Sequence, residues 1–335
     1  MVRTENEDAL GGTANQMVAL GKGILAADES PATIAKRFAA IGVESTQQSR
    51  RAYREMLFST PQLGDHISAV ILHDETIQQR MDEGALIPEY LASRGLIPGI
   101  KVDKGLVPLS PASAERVTDG LDGLMARLSA YRALGARFAK WRAVYRIDSD
   151  APSAASLSIN AWLLGRYARM CQEGGLVPIV EPEVLMTGDH AIGRCAEVTA
   201  AVLTAVFEQL VVHGVEFRGM LLKPNMVTPG SQAPGRSQAR AVAAETARVL
   251  RKTVPAEVVG IAFLSGGQSE EEATGNLREL AQLGPLPWRL TFSFGRALQD
   301  SALKAWAGNA LNRAAAQNEL LRRARENRLA LRAAT

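Results

Sequence analysis

Cysteine is almost missing: 335 residues contain only Cys171 and Cys195. They form no CxxC pair and no disulfide framework, so the sequence reads as that of a protein from a reducing compartment. The four histidines, His66, His73, His190 and His213, show neither HxH nor HExxH spacing, which disfavours a zinc or iron site. Neither GxGxxG nor GxxxxGK[ST] occurs, so dinucleotide-binding and P-loop readings lapse. A formal net charge of +3 is too small to make nucleic acid or an anionic membrane the main partner. No window approaches the roughly 18 uncharged apolar residues of a spanning helix. The first eight residues are acidic and polar, unlike a secretory signal or a transit peptide. A soluble cytoplasmic protein is the expectation.

What is present is an ordinary globular composition, 47% hydrophobic and 22% charged, with enough apolar residues for a substantial core. Short apolar runs occur at 23–27, 67–72, 97–100, 138–144, 177–180, 219–223, 259–264 and 290–294. Helical patterns separate them. Asp189 is the expected N-cap of a helix whose stripe is Ile192, Ala196, Thr199, Leu203, Val206 and Leu210. Ser269 with Glu270, Glu271 and Glu272 opens another, its acids where the helix dipole favours them. Residues 45–58 and 111–134 also read as helices. Helices between near-continuous strands imply parallel pairing and right-handed crossovers. Eight such units predict a closed (β/α)8 TIM barrel, α/β in class, as a single domain over 1–335 with a C-terminal helical tail from about 297. The arginine-rich segment 318–335 reads as a solvated terminal helix in preference to a docking helix for an acidic partner.

In such a barrel the active site forms at the C-terminal ends of the strands. Collecting polar residues there gives Asp28, Asp74, Lys101, Lys140, Arg142, Glu181, Glu183, Lys223, Ser265 and Arg296. Lys223 ends an apolar run and precedes Pro224, which stops the strand. Desolvation there favours the free, nucleophilic amine, and a cationic Lys140 nearby pushes the same way. A snorkelling lysine at a strand end is the plainer alternative for this stretch taken alone. Forming an imine also requires a general acid/base to expel water. Glu181 and Glu183, two apart on a strand, face one side and can both reach the site, or can serve merely to neutralise Lys140 and Arg142. Ser265-Gly266-Gly267 and Gly295-Arg296 follow the last two strands, where barrels of this class often hold a phosphate. Cys171 and Cys195 lie inside helical patterns and read as core.

The segments Gly21–Ser30, Ala139–Arg142, Val180–Glu183, Leu222–Met226, Leu264–Glu270 and Phe294–Leu298 together closely resemble class I (Schiff-base) fructose-bisphosphate aldolase, over about residues 9–307. The resemblance implies a (β/α)8 barrel, usually a homotetramer, with no cofactor or metal. It implies reversible cleavage of fructose 1,6-bisphosphate to dihydroxyacetone phosphate and glyceraldehyde 3-phosphate, in glycolysis and gluconeogenesis. Carried over by position, Lys223 matches the imine-forming lysine, Glu181 the acid/base for dehydration, and Asp28 the base at the C4 hydroxyl. Lys140 and Glu183 match charged residues that tune the site. Ser265, Gly266, Gly267, Gly295 and Arg296 match the ketone-side phosphate cradle. Ser30, Lys101 and Arg142 match substrate contacts, Ser30 and Lys101 mainly at the other phosphate.

Two departures from the family pattern stand out. Many eukaryotic members use a terminal tyrosine to move protons at the eneamine carbon. The last tyrosine here is Tyr167, so that role is vacant or falls to another group. Pro31 and Thr33 stand where small polar residues and a serine are more usual, which alters the expected second phosphate contact. The rival readings are a Schiff-base aldolase for sedoheptulose 1,7-bisphosphate or fructose 1-phosphate, a metal-dependent aldolase, and a non-catalytic binding scaffold.

Overall fold

Parallel strands need a crossover between them, and the helical segments between the apolar runs supply it. In the computed structural model, which describes residues 5–235 and 237–332, eight of the runs close into a barrel. The strands in chain order are β1 Gly23–Ala26, β2 Ile67–Leu72, β3 Ile97–Lys101, β4 Gly105–Pro108, β5 Arg116–Asp119, β6 Phe138–Tyr145, β7 Val177–Val184, β8 Leu221–Leu222, β9 Gly260–Phe263 and β10 Arg289–Phe294. Around the barrel they run β1-β2-β3-β6-β7-β8-β9-β10, with β10 back against β1 and every pair parallel. β4 and β5 form a separate antiparallel pair.

The helices are α1 Glu5–Met17, α2 Pro31–Ala39, α3 Gln47–Phe58, α4 Asp74–Ile77, α5 Ile87–Ser93, α6 Leu124–Ala133, α7 Ala154–Glu173, α8 Ile192–Val212, α9 Ala239–Thr253, α10 Glu270–Ala281, α11 Arg296–Trp306 and α12 Arg313–Leu331. Their apolar faces pack on the outside of the strands in one large core. A second cluster fills the barrel itself: Ile24, Ala26, Ala69, Ile71, Phe138, Val177, Ile179, Leu221 and Ala262. Leu10, Ala14 and Met17 of α1, with Val18 just beyond it, belong to that cluster and plug the end where the strands begin. Each large side chain so buried contributes about 1.5–3 kcal/mol.

Strand alternation then sets the chemistry of the interior. Inward positions on β7 read Val177, Ile179, Glu181, Glu183, and on β6 Phe138, Lys140, Arg142. The barrel is therefore apolar where the strands start and charged where they end. Register aligns the charged steps, with Lys101 opposite Lys140 and Arg142 opposite Glu181.

Several elements differ from the sequence reading. Residues 111–134 are not one helix: β5 occupies 116–119 and α6 starts only at Leu124. Gly120 and Gly123, at φ +127° and +64°, turn the chain between them. α8 has the expected stripe, but its N-cap is Ala191, without a side-chain bond, and not Asp189. Gly230 N–H donates to the His190 carbonyl and holds that stretch as a loop. Among the described residues α8 is also long and apolar enough to cross a membrane by length and composition; here its stripe lies in the core. α3 starts at Gln47 behind a Thr46 cap, and Ser269 caps α10 in a reciprocal pair with Glu272. The terminal helix is not merely solvated: Leu320, Arg323, Ala324, Asn327 and Ala330 of α12 are buried. Residues 333–335 of that reading lie outside the described residues.

Candidate active site

β8 is only two residues long because Lys223-Pro224 follows it; Lys223 N–H still bonds the Val180 carbonyl at 2.8 Å, which carries the side chain to the barrel mouth. Lys223 is 3% exposed, so it does not snorkel. Its Nζ lies 3.1 Å from Glu181 Oε1 on β7. Lys140 Nζ, on β6, stands 3.1 Å from Glu181 Oε2 and 2.7 Å from Asp28 Oδ2, just past β1. Glu181 thus bridges two lysines, and Lys140 bridges two carboxylates. The contact to Oε2 is ionic only, and that buried oxygen takes no hydrogen bond.

Removing such charges from water would be costly without this pairing. Burial works against the Asp28 charge, but Lys140, Lys223 and Lys101 outweigh it and hold the carboxyl at about 2 instead of 3.8. Burial likewise opposes ionisation of Glu181, yet Lys140, Lys223 and Arg142 bring it below the usual carboxylate range. Lys140 is desolvated too; Asp28, Glu181 and Asp103 nevertheless raise it above an ordinary lysine. All three are ionised at neutral pH. Glu183 pairs with Arg142 Nε, and this pair sits over Glu181 as the next inward step of the same strands.

The mouth opens into a cavity of about 890 Å³. Asp28, Ser30, Lys101, Lys140, Arg142, Glu181, Glu183, Lys223, Ser265, Gly266, Gly295 and Arg296 all line it, as does Asp74. Gly267, next in the chain after Gly266, is not part of the lining. It holds φ at +76°, and a Cβ there would fall 2.8 Å from Met186 Sδ. At Gly266 a Cβ would come 2.5 Å from Glu183 Oε1, so a larger residue there would push that carboxylate aside. Gly295 leads directly into the first turn of α11, whose free backbone N–H groups and Arg296 favour an anion. Across the cavity, Ser30 caps α2 and its Oγ lies 3.0 Å from Thr33 Oγ1. Lys101 Nζ donates to the Asp103 carboxylate and carbonyl.

Sequence reasoning passed over several wall residues. Asp103, two past Lys101, and Ser293, two past the inward Thr291, could have been found by extending the strand alternation. Arg37, tied to Glu29 and Asp300, had no local signal. His73 also lines the cavity, although its spacing was informative only about metals.

A buried lysine paired with a carboxylate, three further charged pairs and two anion-favouring ends make a barrel suited to amine chemistry on phosphorylated carbonyl compounds. Comparison with known proteins narrows that class. The family model for class-I fructose-bisphosphate aldolase matches residues 9–334. A probable fructose-bisphosphate aldolase class 1 from Xanthomonas campestris is 52% identical over 324 residues, covering 96% of this chain and 97% of the relative. The fructose-bisphosphate aldolase of Drosophila melanogaster is 53% identical over 326 residues, 96% and 90% of the two chains. A solved Plasmodium falciparum fructose-bisphosphate aldolase, in complex with TRAP and an inhibitor, superposes with a TM-score of 0.96 at 49% identity, over 98% of this chain and 96% of that one. The chain belongs to the class I fructose-bisphosphate aldolase family, lyases of glycolysis whose substrate is a sugar phosphate.

Proposed function

We propose that Lys223 forms the imine through which this enzyme cleaves fructose 1,6-bisphosphate to dihydroxyacetone phosphate and glyceraldehyde 3-phosphate. The observation that carries this assignment is Glu181 held between Lys223 and Lys140 in a buried site. The Lys223 amine adds to the C2 carbonyl, giving a carbinolamine. Glu181, whose Oε2 takes no hydrogen bond from the protein, relays a proton to the departing hydroxyl, and water leaves a protonated imine. Asp28, ionised at neutral pH, takes the C4 hydroxyl proton. The C3–C4 bond breaks, the aldehyde leaves, and the bonding pair moves into the C2–C3 double bond as the imine nitrogen becomes neutral. Protonation at C3 and hydrolysis return the amine and release the triose phosphate.

Lys140 keeps Asp28 and Glu181 charged, and Glu183 orients Arg142 toward substrate. Ser265, Gly266, Gly295 and Arg296, with Gly267 supporting the turn, hold the ketone-side phosphate. Ser30 and Lys101 face the other one. The chain acts as one barrel domain over 1–335, with a helical tail from about 297, and needs no metal. Cytoplasmic location accords with two Arabidopsis thaliana relatives named cytosolic. Assembly as a homotetramer accords with Ile159 and Trp162 on α7 and Val211 and Val212 at the end of α8, all exposed apolar side chains.

Borohydride added with dihydroxyacetone phosphate should leave a stable adduct on Lys223, in the presence of EDTA. Lys223→Met should lose cleavage by more than 10⁴-fold while keeping its circular dichroism, the order expected when a covalent catalyst is removed. Labelling at another lysine, or none, would refute the assignment. Relative kcat/KM for fructose 1,6-bisphosphate, fructose 1-phosphate and sedoheptulose 1,7-bisphosphate separates this reading from the other ketose specificities.

A further inference from the structure

His73 directly follows β2 and caps α4: its Nδ1 accepts the Glu75 backbone N–H at 3.3 Å. An imidazole nitrogen that accepts has no proton, so in the neutral ring the proton sits on Nε2. The opposite edge of the ring takes no hydrogen bond among the described residues, and the side chain lines the cavity. It stands on the wall between the ends of β1 and β3, which carry Asp28 and Lys101. Lys101, the cation that ends β3, already donates twice to Asp103. Of the other cations lining the cavity, Arg37 is tied to Glu29 and Asp300 and Arg127 to backbone carbonyls, while Lys36 and Lys104 line it as well. A phosphate arriving there needs donors beyond Lys101.

We propose that His73 is a specificity residue, donating from Nε2–H to the phosphate at the end of the substrate remote from the ketone. The inference rests on the imine reading above, which sets how the sugar lies across the cavity. The groups around the ring are Asp28 past β1, Arg54 of α3, Asp74 and Glu75 of α4, and Lys101 of β3. Burial, with Arg54 and Lys101, lowers the affinity of the ring for a second proton, outweighing Asp28 and Asp74. The ring is therefore a neutral donor at physiological pH, with its tautomer set by the cap.

Two variants separate the donor from the cap. His73→Asn keeps a good helix cap but is too short to offer a donor to the cavity. His73→Phe keeps the ring and loses the donor. The reading is the ratio of kcat/KM for fructose 1,6-bisphosphate to that for fructose 1-phosphate, which lacks the remote phosphate. Loss of one such hydrogen bond to a charged group should lower this ratio about tenfold in both variants, mainly through KM for the bisphosphate. The proposal is overturned if either folded variant keeps the wild-type ratio; the Asn variant alone decides if the Phe variant does not fold. Borohydride trapping on the wild type is run alongside. Its failure would remove the imine reading, whereas intact trapping with an unchanged ratio removes only the role of His73.

Discussion

Asp28 shows how a buried carboxylate in the cavity bears on stability. Its carboxyl is held at about 2 in the fold against 3.8 in the open chain. A lowered carboxylate stabilises the fold above the unfolded value, and that stabilisation disappears as pH falls from about 4 toward 2. The gap corresponds to about 2 kcal/mol. Urea unfolding between pH 4 and 2 should therefore be less steeply pH-dependent for Asp28→Asn than for the wild type; equal slopes would mean that Lys140 does not hold this charge. Lys223 and Glu181 were legible in sequence because a strand end and a period of two are local properties. His73 and Arg37 were not, since their value depends on which wall of the cavity they face.

At the scale of elements, α12 is where sequence reasoning was corrected. Its arginines look solvated in a linear reading, yet the Arg323 guanidinium is buried and donates to the Glu270 and Ala297 carbonyls and to Thr274 Oγ1. Glu270 and Ala297 lie in the first turns of α10 and α11, the helices that follow the two loops proposed above to cradle a phosphate. One side chain of the tail thus holds both loops in register. Arg323→Met should cost about 3 kcal/mol in urea unfolding, since it strands buried acceptors and the Glu270 and Glu326 charges. It should also weaken competitive inhibition by inorganic phosphate. An unchanged phosphate inhibition constant would confine Arg323 to stability alone.

For the whole molecule, the exposed apolar side chains of α7 and α8 carry the expectation of assembly. Light scattering should give a particle of four 35.9 kDa chains, and Val211→Asp with Val212→Asp should shift it to smaller species. A monomeric wild type at micromolar concentration would overturn the tetramer. The barrel itself was legible because eight apolar runs alternate with helical patterns, and parallel pairing leaves few other closures. The β4–β5 pair was not. β4, Gly105-Leu106-Val107-Pro108, is a short apolar run but lies largely exposed outside the barrel, β5 is mostly polar, and glycine turns hid the break in an apparent helix.

The sequence by itself determined the fold class, the family and the place of Lys223 at the end of an apolar strand, because periodicity and motif spacing survive in one dimension. The tertiary structure alone decided the pairing: which carboxylate lies between which cations, where a buried arginine finds its carbonyls, and that His73 faces the same cavity as Lys101. Those relations depend on electrostatics and closure across the barrel, between residues far apart in the chain, and no local pattern encodes them.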